Sequence, residues 1–471
     1  MSIDNLILQL FKLGVTGISS DTRDIKKGDL FVCLKGDSYY GGNYVKEAVS
    51  LGAKAILSEE PIDTFIPNLI YPNLKNNLGL ILSKFYDYPF RELEMIGITG
   101  TDGKTTTATF IEYLLNQKYK CCYIGTNGIR YLSYDLKTRY TTVPICSLYK
   151  TLRYVANQNI RYVSMEVSSQ GLVNGRCDNI EFDVGIFTNL THEHLDTHKT
   201  MDNYFNAKME LFKKIDDKGL VIVNGDDPYS SKIIHNNKIT FGIDNECDFQ
   251  AINIKYMKKY TKFDLKTPTE VLKDFRINRK EKYNIYNILA AVIVAMHYNI
   301  EQITLYNALA NLPKVKGRLE LLTTDEDFKV YVDFAHTPNA LKNVLESLKD
   351  DNSRIVLVMG AAGNKDKLKR PAMGITACEL ADFVYFTSED PRSEDPIAII
   401  NDLKRDVTSS NYLIVPSRED AIKTAIKNHQ KNDIILITGK GNDDYFEENG
   451  MVYEYSDITT VINTLNAIKT S

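Results

Sequence analysis

Short apolar runs alternate with stretches of helical spacing along most of this chain. The apolar runs at residues 93–98, 161–166, 182–188 and 219–223 predict buried strands, and runs of the same kind occupy residues 330–334, 355–359, 383–387, 412–415 and 434–438. Segments with helical periodicity lie between most of them. Strands that alternate with helices predict parallel sheets with helices on their faces, so the pattern indicates an α/β fold.

The pattern divides the chain into three units, as its length of 471 residues leads us to expect. Residues 1–92 predict a small α/β unit in which two strands flank a helix. Residues 93–312 predict a central sheet, and we expect its polar segment 255–279 to form exposed antiparallel strands. Residues 313–318 have the pattern of a linker. They begin the third unit, residues 313–471, for which we predict a second parallel-sheet domain.

Composition argues against several classes of function. The net charge of −4 gives no electrostatic case for binding nucleic acid. The longest apolar run, residues 288–296, is much shorter than the ~20 residues of a membrane span, and the first residues carry no secretion signal. Seven cysteines without a C-x-x-C pair fit reduced thiols. We therefore expect a cytoplasmic protein without a membrane span or a nucleic-acid partner.

A glycine-rich turn follows the first central strand and predicts a phosphate site. Its residues are Gly100, Thr101, Asp102, Gly103, Lys104, Thr105 and Thr106, and helical spacing resumes after them. Backbone N–H groups and the start of a helix favour phosphate oxygens, Lys104 can reach a β- or γ-phosphate, and the Thr105 hydroxyl can hold Mg²⁺. Ile98 stands where the strict pattern G-x-x-x-x-G-K-[ST] has glycine, so the alternative is a plain glycine turn.

Three of the seven histidines lie within residues 191–198, a density that suggests a metal. The zinc-hydrolase pattern H-x-H-x-D-H does not fit, because Thr197 separates Asp196 from His198. One histidine, His194, beside the strand-end carboxylate of Glu166 suits Mg²⁺-nucleotide chemistry better. Lys208 lies among apolar residues of a predicted helix at 201–212, where a lysine ordinarily extends over a core face at the surface.

The ordered motifs of the chain resemble those of the muramyl-peptide (Mur) ligases over essentially its whole length. They are Gly100 to Thr106, Glu166-Val167-Ser168-Ser169, Asn189 to Asp196, Asn206-Ala207-Lys208, Gly317-Arg318-Leu319-Glu320, Val332 to Pro338 and Gly439-Lys440-Gly441. Within that family the chain most resembles the ligase that adds the third residue to UDP-N-acetylmuramoyl-L-alanyl-D-glutamate. The family's nucleotide loop lacks the outer glycine, which answers the objection from Ile98.

The resemblance implies an architecture and a reaction. Residues 1–92 would bind the UDP substrate, residues 93–312 would form a P-loop-type ATP-binding domain, and residues 313–471 would form a Rossmann-like amino-acid-binding domain. The enzyme would be an ATP-dependent ligase of peptidoglycan synthesis, hence of cell-wall biogenesis, cell shape and cell division. ATP would convert the D-glutamate γ-carboxylate into an acyl phosphate, which an incoming amine attacks. We expect a monomer.

The resemblance also implies roles for individual residues. The catalytic set would be Lys104, Glu166, His194 and Lys208, with Lys208 carbamylated, and two Mg²⁺ ions would be held by Thr105, Glu166, His194 and Lys208. ATP would contact Gly100 to Thr106, Asn284, Asn287, Arg318, Asp333 and His336. The UDP-muramoyl dipeptide would contact Ser20, Thr22, Thr141, Thr142, Ser168, Asn174 and Arg176.

The expected amino-acid pocket comprises Lys365, Glu389, Asp390, Pro391, Arg392, Gly439 and Asp443. Relatives that use meso-diaminopimelate carry Asp-Asn-Pro-Arg, whose arginine pairs with the distal carboxylate of that substrate. Arg392 is kept here, whereas Asp390 replaces asparagine and could neutralise Arg392, which would favour L-lysine. We expect diaminopimelate, because Arg392 would otherwise face a lysine ammonium.

Two other interpretations stay open from the sequence alone. A folylpolyglutamate-synthetase-like ligase shares the general chemistry, although the segment Glu166-Val167-Ser168-Ser169 and the N-terminal unit speak against it. A non-catalytic nucleotide-binding protein is the other, and the intact set of Lys104, Glu166, His194 and Lys208 speaks against that.

Overall fold

The computed structural model describes residues 1–36, 40–257, 260–323, 327–350 and 352–469. Their strands form four sheets, of which three are predominantly parallel. The predicted α/β class is therefore confirmed. Among the described helices, none has both the length and the apolar character needed to cross a bilayer.

The N-terminal sheet has four parallel strands in the order β1-β2-β3-β4. Its elements are α1 Ile3–Lys12, β1 Gly17–Ser19, β2 Asp29–Val32, α2 Val45–Ser50, β3 Ala55–Ser58, β4 Asn68–Ile70 and α3 Leu74–Phe85. Apolar side chains of α1 and α3 share one buried cluster with residues from the following sheet. In that shared core, Ser83 Oγ lies 2.7 Å from the hydroxyl of Tyr149.

The central sheet has eleven strands in the order β15-β14-β13-β12-β11-β10-β5-β9-β6-β7-β8. Its elements are β5 Glu94–Thr99, α4 Lys104–Leu115, β6 Cys121–Gly125, β7 Gly128–Tyr131, β8 Tyr134–Leu136, α5 Ile145–Asn157, β9 Tyr162–Glu166, α6 Ser169–Val173, β10 Phe182–Phe187, α7 Leu195–His198, α8 Met201–Phe212, β11 Ile215–Asn224, β12 Lys238–Gly242, β13 Phe249–Tyr256, β14 Thr261–Lys266, β15 Val271–Ile277, α9 Lys282–His297 and α10 Gln302–Leu309. Strands β12, β11, β10, β5, β9 and β6 run parallel, so their carboxyl ends meet at one edge. Such an edge is where open α/β sheets bind ligands.

Antiparallel strands complete both ends of the central sheet. The expectation of exposed antiparallel strands at 255–279 is confirmed for their pairing and wrong for one of their faces, because Phe263 and Phe275 are buried. Phe275 also stacks on Tyr306 of α10, with the ring centroids 4.4 Å apart. Alternation of apolar and polar side chains along β14 places its apolar face in the core.

The C-terminal sheet has the order β16-β17-β21-β18-β19-β20 and is parallel except for β16. Its elements are β16 Glu320–Leu321, β17 Lys329–Asp333, α11 Pro338–Leu348, β18 Ile355–Met359, α12 Lys369–Leu380, β19 Phe383–Phe386, α13 Pro396–Lys404, β20 Tyr412–Ile414, α14 Arg418–Lys427, β21 Ile434–Thr438, β22 Tyr445–Glu448, β23 Met451–Glu454 and α15 Asp457–Lys469. Strands β22 and β23 form a separate hairpin that the sequence pattern did not predict. Helices cover both faces of the sheet, as two separate apolar clusters record.

Candidate active site

A cavity of about 880 Å³ lies where the carboxyl edge of the central sheet meets the C-terminal domain. Both domains contribute to its wall, from Lys104 and Glu166 on one side to Arg318 and Arg392 on the other. Most residues predicted for the ATP and amino-acid sites line this cavity. The structure therefore brings together side chains that are separated by up to several hundred positions in the sequence.

The glycine-rich turn joins β5 to α4 as predicted. Gly100 and Gly103 have φ values of 151° and 85°, in the region that favours glycine. Lys104 donates from Nζ to the carbonyl oxygens of Gly100 and Thr101, at 3.0 and 2.7 Å. Ile98 is buried within β5, so the turn begins only after that position. A glycine at position 98 would therefore serve no turn here.

Glu166 ends β9 and is fully buried against the turn. Its carboxylate accepts hydrogen bonds from Thr105 Oγ1 at 2.9 Å, from the hydroxyl of Tyr123 at 2.6 Å and from the backbone N–H of Thr126 at 2.9 Å. Sequence reasoning missed Tyr123 and Thr126. The signal that could have identified Thr126 is its position directly after the apolar run of β6, at the same edge of the sheet.

Lys208 is buried rather than extended over the surface, so the ordinary interpretation of this lysine is wrong. It is 1% exposed, and its Nζ donates to the Gly100 carbonyl at 2.7 Å and lies 4.2 Å from the ring centre of Tyr204. Burial, with the nearby charge of Lys104, holds the pKa of Lys208 well below its usual value. Because Lys104 and Lys208 share one carbonyl oxygen, a neutral amine at Lys208 avoids a buried pair of like charges.

The three clustered histidines have different surroundings. His192 Nε2 lies 3.1 Å from Asp366 of the C-terminal domain, and His198 Nε2 lies 3.1 Å from Ser169 Oγ. His194 has its Nδ1 buried, with no hydrogen-bond partner among the described residues. Burial is the main cause that lowers the pKa of His194 to about 2, so its imidazole is neutral at physiological pH. Across the described ranges, no three His, Cys, Asp or Glu side chains converge as a metal cluster.

Glu193 forms an ion pair across the boundary between the central and the C-terminal domain, and the sequence analysis missed this role. Both of its carboxylate oxygens lie 3.0 Å from Nζ of Lys369 at the start of α12. The two residues are 3% and 6% exposed. His336 Nε2 lies 3.9 Å from the same carboxylate. Burial raises the pKa of Glu193 and the ammonium of Lys369 opposes that shift, so the pair is a partly compensated buried ion pair.

The predicted ATP contacts of the C-terminal domain face the turn. Arg318 donates from Nη2 to Thr105 Oγ1 at 3.1 Å, and its guanidinium lies 4.5 Å from the ring centre of Phe334. Asp333 accepts the backbone N–H groups of Leu319 and Ala335, which fixes the loop that carries Arg318. These contacts bring a permanent cation to the Thr105 hydroxyl of the glycine-rich turn.

The asparagine pair on α9, Asn284 and Asn287, packs against the glycine-rich turn. Asn287 Nδ2 donates to Asn284 Oδ1 at 3.2 Å, and Asn287 accepts from Thr107 Oγ1 at 3.2 Å. A Cβ added to Gly103 would lie only 2.4 Å from Asn287 Oδ1. Both asparagines line the cavity, and their place beside a nucleotide stays a prediction.

The residues predicted for the UDP substrate divide into two groups. Thr141, Ser168 and Arg176 line the cavity, and Arg176 donates to the Thr142 carbonyl at 2.6 Å. Thr142 itself is buried behind the wall, where its hydroxyl donates to the carbonyl of Glu166 at 3.0 Å.

The second group is not brought to the cavity wall. It comprises Ser20 and Thr22 in the N-terminal domain and Asn174 at the exposed end of α6. The side chain of Ser20 interacts with Cys146 on α5. A substrate would have to extend beyond the cavity to reach these three residues.

In the predicted amino-acid pocket, the charged side chains form other ion pairs than the sequence suggested. Asp390 does not neutralise Arg392, because its oxygens lie 2.9 and 2.8 Å from Nζ of the buried Lys440. Arg392 instead donates from Nε to Glu447 of β22 at 3.1 Å, and from Nη1 to the Gly363 carbonyl at 2.6 Å. Glu447 was missed by the sequence analysis because nothing marks it before the hairpin is known.

The remaining predicted pocket residues also take up defined positions. Lys365, Glu389, Gly439 and Asp443 line the cavity, whereas Pro391 does not. Burial raises the pKa of Glu389 to about 7 and that of Asp443 to about 6. Burial, together with the charge of Arg392, lowers the pKa of Lys365. Gly439 has a φ of 110°, which favours glycine, and a Cβ there would also lie 1.8 Å from Glu389 Oε2.

Comparison with known proteins identifies the class first. Residues 14–77 match the catalytic domain of the Mur ligase family, residues 98–295 the Mur ligase middle domain, and residues 317–441 the Mur ligase glutamate ligase domain. These three matches follow the three sheets in order. The chain belongs to the Mur ligase family.

Individual relatives make the likeness more specific. A UDP-N-acetylmuramoyl-L-alanyl-D-glutamate–2,6-diaminopimelate ligase of Bacillus licheniformis is 37% identical, over 94% of this chain and 93% of that protein. The enzyme of the same name from Clostridium botulinum is 35% identical, over 94% of each chain. A solved structure under that name is 28% identical, with a TM-score of 0.61 and coverage of 97% of this chain and 95% of that one.

Proposed function

We propose that this ATP-dependent peptide-bond-forming ligase adds meso-diaminopimelate to the D-glutamate γ-carboxylate of UDP-N-acetylmuramoyl-L-alanyl-D-glutamate. This is a step of peptidoglycan precursor synthesis. The names of full-length relatives support this assignment. The observation in the structure that carries the choice of diaminopimelate is Arg392, which lines the cavity. Its Nε is paired with Glu447 and its Nη1 with the Gly363 carbonyl, whereas Nη2 has no hydrogen-bond partner among the described residues. We further propose that the enzyme acts as a monomer in the cytoplasm.

The first chemical step is transfer of a phosphoryl group. The substrate γ-carboxylate attacks the γ-phosphate of ATP, the bond to the β-phosphate breaks, and an acyl phosphate and ADP result. This reaction needs positioning and neutralisation of charge rather than covalent help from the protein. Lys104 and Arg318 both lie at the glycine-rich turn, where Lys104 Nζ donates to the Thr101 carbonyl and Arg318 Nη2 donates to Thr105 Oγ1. Together they can supply that neutralisation.

Lys208 suits the carbamate that the family resemblance implies. Carbon dioxide reacts with a neutral amine, and burial next to Lys104 keeps Lys208 in that form. The amine nitrogen bonds to the carbon of CO₂ and releases a proton to solvent, so a neutral side chain becomes an anion. Beside Lys104 the anion gains a favourable neighbour, so the arrangement favours the modified side chain over the free ammonium.

The donor set fits Mg²⁺, which prefers oxygen ligands. Thr105 Oγ1 and Glu166 are oxygen donors at the turn, and the buried Nδ1 of the neutral His194 imidazole has no hydrogen-bond partner among the described residues. Thr105 would hold one ion, and Glu166, His194 and the Lys208 carbamate would hold a second. When bound, the ions would neutralise charge on the phosphate oxygens.

The second step forms the peptide bond. The amino group of the incoming diamino acid attacks the acyl carbon, a tetrahedral intermediate forms, and inorganic phosphate leaves. Specificity depends on the distal end of that amino acid. Arg392 can accept a carboxylate through two charge-assisted hydrogen bonds, and Lys365 adds positive charge close to it. The ammonium of L-lysine would meet two cations there.

The test is a phosphate-release assay with UDP-N-acetylmuramoyl-L-alanyl-D-glutamate, ATP and a panel of diamino acids. We expect kcat/KM for meso-diaminopimelate to exceed that for L-lysine by at least about tenfold, and Arg392→Ala to remove most of this preference. A wild-type preference for lysine would refute the assignment. A preference unchanged in Arg392→Ala would refute the role of Arg392.

A folylpolyglutamate-synthetase-like activity has weaker support. The likeness to a Mycobacterium tuberculosis folylpolyglutamate synthase covers 76% of this chain at 15% identity and concerns the fold alone. A non-catalytic role is disfavoured by the buried arrangement of Lys104, Glu166 and Lys208 around one turn.

A further inference from the structure

We infer that Glu447, on the hairpin formed by β22 and β23, determines specificity for the incoming amino acid by positioning Arg392. This inference rests on the proposed function. Glu447 itself does not line the cavity, whereas Arg392 does. Because Glu447 is hydrogen-bonded to Arg392 and is not part of the cavity wall, it can act on a substrate only through Arg392.

The hydrogen bonds of the guanidinium define its direction. Nε is held by the Glu447 carboxylate at 3.1 Å, and Nη1 is held by the Gly363 carbonyl at 2.6 Å. Nη2 has no hydrogen-bond partner among the described residues. Two of the three nitrogens are thus fixed by the protein, and Nη2 together with the second N–H of Nη1 remains to receive a carboxylate.

The hairpin also fixes the backbone on which Arg392 stands. Arg392 has a φ of 55°, a conformation that costs energy for a residue with a side chain. Its N–H donates to the Glu447 carbonyl at 3.0 Å, and its own carbonyl accepts the N–H of Asn449 at 2.5 Å. The N–H of Glu447 in turn donates to Asp390 at 3.0 Å, next to the Asp390–Lys440 pair. The hairpin of β22 and β23 and the loop that carries Asp390 and Arg392 therefore form one hydrogen-bonded unit.

The charge of Glu447 also affects the position of Arg392. Arg392 and Lys365 line the same cavity, and the charge of Arg392 lowers the pKa of Lys365. The Arg392 side chain is 20% exposed and can therefore turn toward solvent. Without the Glu447 carboxylate, repulsion from Lys365 would push Arg392 in that direction. Glu447 offsets that repulsion while leaving the cavity side of the pair positive. The pocket therefore keeps two cations directed at one carboxylate.

The test compares Glu447→Ala and Glu447→Gln with wild type, with meso-diaminopimelate and L-lysine as substrates. We expect Glu447→Ala to raise KM for meso-diaminopimelate about tenfold, the size of one charge-assisted hydrogen bond, and to leave KM for ATP within about twofold. Glu447→Gln keeps the shape but not the charge and should lie between the two. Activity with lysine should not fall.

Two controls separate positioning from damage to the fold. Glu448→Ala changes the next residue on the strand, whose side chain points to the other face and forms no ion pair among the described residues, so it should behave as wild type. In an Arg392→Ala background, Glu447→Ala should add no further loss, because a residue that acts through Arg392 has nothing left to position.

The outcomes distinguish this inference from the proposed function. Wild-type enzyme that does not use meso-diaminopimelate would overturn both. Wild-type enzyme that uses it, combined with an unchanged KM in Glu447→Ala or with an additive double variant, would overturn the positioning role of Glu447 alone.

Discussion

The buried pair between Glu193 and Lys369 should control closure of the C-terminal domain over the central one. The variant Lys369→Met removes the ammonium and keeps a side chain of similar length. It leaves a carboxylate that is 3% exposed without the cation that lies 3.0 Å from both of its oxygens. We expect the two domains to separate, because Glu193 can then be hydrated without unfolding of either domain.

The magnitude follows from burial. Removing one partner of a buried ion pair costs about 3–5 kcal/mol, whereas an exposed pair contributes about 0–1 kcal/mol. Because a closed cavity is needed to combine Lys104 and Arg318, a penalty of about 3 kcal/mol on closure should lower kcat/KM by about 10²-fold. The matched control is Lys367→Met, two positions away, whose pair with Glu394 is largely exposed on the lysine side. We expect no more than about a fivefold effect there.

Steady-state kinetics and small-angle X-ray scattering together provide the assay. Lys369→Met should show the loss in kcat/KM and a larger radius of gyration, with little change in the melting temperature. The double variant Glu193→Gln/Lys369→Met should recover part of the closure, because no charge is then left buried. A Lys369→Met enzyme with wild-type kcat/KM and wild-type scattering would refute this reasoning.

Three further predictions concern individual residues. Lys104→Ala should lower turnover by about 10²–10³-fold while circular dichroism stays that of wild type, and near-normal turnover would show that Lys104 does not face the transferring phosphoryl group. Lys208→Ala should lose most activity, and ¹³C-bicarbonate should give a carbamate resonance in wild type that Lys208→Ala lacks; an active Lys208→Ala enzyme would contradict the carbamate. Glu389 has a pKa in the folded protein of about 7, above its unfolded value near 4.5, so its stabilising contribution is complete below pH 4.5 and is lost as the pH rises through 7. Glu389→Gln should therefore gain up to about 3 kcal/mol of unfolding free energy relative to wild type between pH 5 and pH 8 in urea titrations, and a pH-independent difference would exclude the raised pKa.

Local patterns in the sequence account for the features that were predicted well. The turn from Gly100 to Thr106 follows from an apolar run, two glycines and a helix start that are adjacent in the chain. The strands β18 and β21 were predicted with the observed bounds because each is a short apolar run buried on both faces. The motif order led to the Mur ligase family for the same reason, since each motif is contiguous.

Tertiary packing determines the features of the site that local sequence patterns did not predict. Lys208 was first assigned to the surface because its neighbours fit an ordinary amphipathic helix, and only the position of α8 beneath the turn makes it buried. The partner of Arg392 lies 55 positions away, and that of Asp390 lies 50 positions away. Residues two positions apart, such as Asp390 and Arg392, are plausible partners in a sequence. In the structure Asp390 pairs with Lys440 and Arg392 pairs with Glu447, and the backbone at both positions is left-handed.

Product analysis by mass spectrometry tests the central claim most directly. The enzyme is incubated with ATP, UDP-N-acetylmuramoyl-L-alanyl-D-glutamate and meso-diaminopimelate, and the nucleotide product, ADP and phosphate are quantified. The account predicts a UDP-muramoyl tripeptide that is heavier by one diaminopimelate less one water, formed with one ADP and one phosphate per molecule. Formation of AMP and pyrophosphate, or ATP turnover without a tripeptide, would contradict it.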